Sequence, residues 1–124
     1  MSEALRSLFA ARLVQARQMR GLSQRALGDR MGLGKEKGSS RINRYEHQVT
    51  AVGFDSLDTL AQVLEVPPAY LLADNQEMAQ TILLFSNIAL EKQASAVQLL
   101  QLLQQHPDLI EELHALAPGL ITKP

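Results

Sequence analysis

The sequence predicts an all-α protein, with a five-helix domain over residues 1–74 and a helical C-terminal region over residues 75–124. Three observations carry this expectation. Apolar residues recur at offsets of three and four along most of the chain, which is the spacing of one helical face. Gly, Ser and Pro fall at the joints between those stretches, where helices stop and restart. Hydrophobic residues make up 46% of the 124 positions but aromatics only 4%, so the core is built from Leu, Ala, Val and Ile.

The elements follow in order. Leu5, Leu8, Phe9, Leu13, Ala16 and Met19 mark an amphipathic first helix over residues 4–20. Gly21 sits where a helix C-terminus favours a residue tolerant of positive φ. Ser23 then suits the N-cap of a second helix, residues 24–31, which buries Ala26, Leu27 and Met31. The glycines of 32–38 read as a loop with Leu33 as its core anchor, and a third helix runs from Ser39 or Ser40 to His47. Its inward positions are Ile42, Tyr45 and Glu46. Phe54, Leu57, Leu60, Ala61 and Leu64 define a fourth helix, ended by Val66-Pro67-Pro68. Pro68 begins a short fifth helix through Leu72.

Beyond Asn75 the composition shifts. Helices are expected over residues 76–85, 90–105 and 107–116. Residues 93–107 hold no Asp, Glu, Lys or Arg, and their leucines cover more of the helix than one packing face requires. Few charges and surplus apolar surface are the marks of an interface core. Residues 76–116 are therefore expected to join two copies in a homodimer; the competing expectation is that they fold back onto the N-terminal domain.

Composition also excludes. Without Cys there is no disulfide, thiolate nucleophile or Cys-ligated zinc. No apolar run reaches membrane-spanning length and no secretion signal is evident, so a cytoplasmic protein without a membrane partner is expected. His47, His106 and His114 show no metal-site spacing, and Glu111-Glu112 reads as a solvated face. No catalytic, cofactor or metal set emerges, so no enzyme is expected. The net charge of −1 conceals a division. Residues 1–50 carry ten Lys/Arg against four acids, a balance of +6, and residues 51–124 carry two against nine, a balance of −7. The basic half points to a polyanionic partner. Two short helices joined by a turn, the second rich in Arg, Asn and Ser, suit a reader of double-stranded DNA.

The ordered residues Arg17, Gly21-Leu22-Ser23-Gln24, Ala26-Leu27, Met31-Gly32-Leu33 and Ser40-Arg41-Ile42-Asn43-Arg44-Tyr45-Glu46 resemble the Cro/repressor-type helix-turn-helix domain, the xenobiotic-response-element family. The resemblance continues through Leu57, Leu60-Ala61, Leu64, Val66-Pro67 and Tyr70-Leu71, and spans residues 7–73. It implies a repressor-like five-helix domain whose second helix braces on phosphates while the third enters the major groove. Members include phage repressors, antitoxins and other bacterial regulators. It also implies that Arg17 and Glu46 pair to link the first helix to the end of the third. One departure stands out. Gly32 and Ile42 are ten positions apart here, about four more than in most members, so the turn or the start of the third helix is longer, with the insertion placed at Lys35–Gly38.

The candidate DNA contacts are Arg41, Asn43 and Arg44 first. Arg matches guanine O6 and N7, and Asn matches adenine N6 and N7. The same groups serve equally to hold phosphates. Gln24 and Arg25 are candidates from the second helix, and Lys35 and Lys37 from the extended turn. Ser39 and Ser40 cap the third helix or donate to phosphate. The expected function is a sequence-specific transcriptional regulator, a repressor, bound as a homodimer to an inverted repeat. The rival is a protein-interaction module such as an antitoxin, whose C-terminal helices bind a different protein.

Overall fold

The computed structural model describes residues 2–120, and for residues 2–4, 35 and 36 the backbone alone. Seven α-helices occur among them: α1 Ser2–Met19, α2 Gln24–Arg30, α3 Lys35–Glu46, α4 Phe54–Leu64, α5 Gln76–Ser86, α6 Leu90–Gln105 and α7 Asp108–Leu116. A 3-10 helix, Pro68–Leu72, lies between α4 and α5, and no strand occurs among the described residues. The all-α expectation holds. The chain divides into two compact units, one ending at Ser86 and the other beginning at Asn87.

The first unit closes around one aliphatic core. Leu13, Leu27, Ile42, Leu60, Leu64 and Leu71, from five different elements, are its fully buried large side chains. Phe9 meets Tyr45 edge to face at 5.9 Å, which joins α1 to α3. Apolar periodicity overstates the core at helix ends. Leu5, Met19 and Phe54 are exposed, Phe54 at 87%, and Leu33 is only half-buried. Phe54 is the first residue of α4, and the stripe that faces the core begins one turn later at Leu57.

The joints are satisfied by backbone and side-chain partners. Gly21 takes φ +66° and lets Leu22 N–H return to the Arg17 carbonyl at 3.0 Å, closing α1. Ser23 caps α2, its hydroxyl accepting from Ala26 N–H at 2.9 Å. Glu65 ends α4 in the left-handed region. Arg20, in the turn that follows α1, donates to the carbonyls of Leu64 and Glu65 at 2.6 and 2.8 Å, so it ties the end of α1 to the end of α4.

Helix α5 belongs to the first unit, although composition alone groups it with the C-terminal region. Its attachment has two parts. Ala79 is fully buried in the shared core. Arg12, buried to 6% exposure, donates to the Ala73 carbonyl at 3.2 Å and to the side-chain oxygens of Gln15 and Gln76 at 2.8 and 3.2 Å. A buried guanidinium is tolerated when its donors find acceptors, and here neutral oxygens meet Nε and Nη1. Tyr70 reaches Gln15 beside this network. Burial raises the Tyr70 hydroxyl above its ordinary pKa of 10.0, against the opposing pull of Arg12 and Arg20.

The second unit is of a different kind. Neither α6 nor α7 buries a residue. Leu99, Leu100, Leu102, Ile110, Leu113 and Leu116 are all exposed. Among the described residues no helix is long and apolar enough to cross a membrane. Replacing the fully buried Leu60 by Ala tests the first unit's core. The expected loss is about 2–5 kcal/mol in denaturant unfolding, and an unchanged midpoint would place Leu60 outside the cooperative core.

Candidate nucleic-acid interface

Helix α3 begins at Lys35, so Lys35–Gly38 is its first turn and not a loop. Gly32 and Gly34 lie in the turn as expected, whereas Gly38 is helical. Gly34 is the N-cap at φ +80°, a conformation that suits glycine, and no side chain caps the helix. Gly38 N–H donates to the Gly34 carbonyl at 3.1 Å, the first helical bond. Ser39 and Ser40 are therefore interior residues of α3 and cap nothing. The four extra residues lengthen the helix itself.

That first turn lies directly against α2. A methyl group built on Gly38 would come within 2.7 Å of Gly28 Cα, and one built on Gly28 within 2.5 Å of the Gly38 backbone. Both distances are shorter than any real carbon contact, so each position admits only hydrogen. Glycine inside a helix is unfavourable by about 1 kcal/mol relative to alanine. Two interior glycines on neighbouring helices were the available sequence signal for this close approach.

The other end of α3 is held by charge. Arg17 Nε and Nη2 donate to the two Glu46 carboxylate oxygens at 2.7 and 3.1 Å, and Arg17 Nη1 donates to the Leu22 carbonyl at 3.0 Å. The pair is poorly exposed, 17% for the Arg17 side chain and 5% for that of Glu46. Gln24 Nε2, at the start of α2, donates to the same carboxylate at 2.9 Å. Asn43 Nδ2 in turn donates to Gln24 Oε1, a long contact at 3.4 Å. Gln24 is thus a brace between α2 and α3 as well as a candidate contact.

With both ends fixed, α3 turns one face outward. Lys37, Ser40, Arg41 and Arg44 line an open recess of about 470 Å³. Their spacing of three, four and seven residues is that of a single helical stripe. Lys37, Ser40 and Arg44 are exposed and Arg41 is half-buried. Asn43 is exposed beside α2, Ser39 is half-buried outside the recess, and Arg25 is exposed on α2. Of Lys35 the structure describes only the backbone, so its side chain lies outside the described residues.

A short α2 capped by serine, a turn, and an α3 with a cationic outer stripe form a helix-turn-helix. Residues 13–71 match the family described as helix-turn-helix. The crystal structure of transcriptional regulator BswR aligns with a TM-score of 0.70 and 34% sequence identity, covering 77% of this chain and 96% of that chain. The chain belongs to the helix-turn-helix family of DNA-binding transcriptional regulators, in its Cro/repressor-type branch. No curated protein matches it. Within the family frame, the Arg17–Glu46 pair joins the end of α1 to the end of α3, as the resemblance implied.

The clamp gives a direct prediction. Glu46→Ala leaves Arg17 poorly solvated without its carboxylate and removes the acceptor of Gln24. A destabilisation of about 3 kcal/mol is expected, read from urea unfolding. A loss within error of zero would remove the clamp as an organiser of α3.

Proposed function

We propose that the protein is a repressor that binds an inverted-repeat operator as a homodimer, with α3 of each protomer in the major groove. The observation that carries this is the stripe Lys37, Ser40, Arg41 and Arg44 on the outward face of a helix that α1 and α2 hold rigidly. Arg41 and Arg44 reach base edges, and Lys37 and Ser40 hold flanking phosphates. Asn43 reads from the edge of the stripe with Gln24 beside it; its amide has a second donor and an acceptor to spare. Arg25, Lys35 and Ser39 complete the contact set with the backbone. Repression by occupancy follows the Cro/repressor-type resemblance.

The homodimer is assigned to residues 76–116, with α6 and α7 as its centre. Neither helix has a fully buried residue, both expose large aliphatic side chains, Leu90, Val97, Leu99, Leu100 and Leu102 on α6 and Ile110, Leu113 and Leu116 on α7, and residues 93–107 carry no Asp, Glu, Lys or Arg. Such a surface stays in water only at a cost that a partner relieves. A second copy supplies an identical surface and produces the two-fold symmetry of an inverted repeat, with half-sites about one helical turn apart. The same exposed surface also suits an unlike protein, as in an antitoxin, and that is the second reading.

Two measurements test these assignments. Arg44→Ala should weaken binding to a selected operator by about 1–3 kcal/mol, with thermal stability unchanged. Equal operator affinity for the variant would remove Arg44 from the reading surface. A chain ending at Ser86 should sediment as a monomer at concentrations where the full chain is a dimer. Self-association of the short chain as strong as that of the full chain would defeat the C-terminal dimer, and co-purification with an unlike chain at fixed ratio would favour the antitoxin reading.

A further inference from the structure

We propose that the Gly28–Gly38 contact is the positioning device that sets the docking line of α3 and makes its extra first turn part of the DNA-docking surface. The inference rests on the proposal that α3 reads an operator. A helix held at one end can pivot. Glu46 holds the C-terminal end of α3, and Gly38 on Gly28 holds the N-terminal end. The glycine pair has no clearance, and its near atoms are backbone that no rotamer change can move aside.

Lys37 adjoins this contact and Arg44 lies seven residues on. The stripe between them covers about 10 Å of helix axis, or roughly three base steps of duplex at 3.4 Å each. Without the added turn it would begin at Ser40. A side chain at position 38 must push the first turn of α3 away from α2, so that α3 pivots about its Glu46 end and the base-reading Arg41 and Arg44 turn off their line. Base-edge hydrogen bonds tolerate little displacement, whereas long cationic side chains follow a phosphate. Gly38 therefore governs discrimination between sequences more than affinity for DNA as such.

The test uses the full-length protein, its selected operator and a random duplex, with affinities measured across a range of salt. Gly38→Ala should lower operator affinity roughly tenfold or more and leave random-duplex affinity unchanged. Gly53→Ala is the matched control, since φ there is −83° and an added Cβ meets nothing within 4 Å; it should preserve the ratio. Lys37→Gln should reduce the salt slope of operator binding by about one. A folded Gly38→Ala chain that keeps the wild-type ratio overturns the proposal. Where Gly38→Ala does not fold, Lys37→Gln decides, and an unchanged salt slope overturns it. A wild-type chain with no preference for any duplex overturns the operator reading, and this inference with it.

Discussion

The carboxylate of Glu46 is the point on which the helix-turn-helix depends. It accepts from Arg17 twice and from Gln24 once, so the end of α1, the start of α2 and the end of α3 meet at one group. Arg17 also holds the Leu22 carbonyl in the turn between α1 and α2. A carboxylate so placed leaves few alternatives. Moving any of the three helices strands a charge or a donor away from water, which costs far more than the small net gain of making the bond. Apolar packing of Ile42 and Tyr45 presses α3 onto the core, but apolar contact is non-directional and does not choose its rotation. The hydrogen-bonded pair does.

Arg17–Glu46 is also the one ion pair among the described residues. The cations of the α3 stripe have no such partner among the described residues, and Lys37, Arg41 and Arg44 stand three and four residues apart on one face. Like charges at these spacings disfavour a helix by a few tenths of a kcal/mol per pair. The attachment of α3 at both ends offsets that repulsion. In this way an electrostatically unfavourable surface is carried by a neighbouring hydrogen-bonded pair.

The two units solve opposite problems. The first has a closed core, and even its buried Arg12 finds acceptors on Ala73, Gln15 and Gln76. The second leaves its leucines uncovered, with no residue of α6 or α7 buried. Helix α5 sits on the first side of this division because Ala79 and the Arg12 network attach it there.

Much of this was legible in the sequence, and for identifiable reasons. Periodic Leu57, Leu60, Ala61 and Leu64 specify a helix and its inner face without help from the rest of the chain. Ser23 and Gly21 mark their joints because capping and positive φ are local demands. The same local logic placed α6, α7 and the basic candidate face. It holds for the turn at 32–34 and fails at Lys35–Gly38, where glycine's low helix propensity is outweighed. Propensity is a property of the isolated segment, whereas the benefit of Gly38 is the absence of a side chain against Gly28 on another helix. It also overcounted the core at Leu5 and Phe54, since periodicity shows which face is apolar but not where the neighbouring helix ends. The sequence by itself determined the all-α class, the helix-turn-helix motif and the Arg and Lys residues available to it. Only the tertiary structure decided the length of α3, the grouping of Lys37 with Ser40, Arg41 and Arg44, and the place of α5. Each of these depends on contacts between elements distant in the chain, which local spacing does not encode.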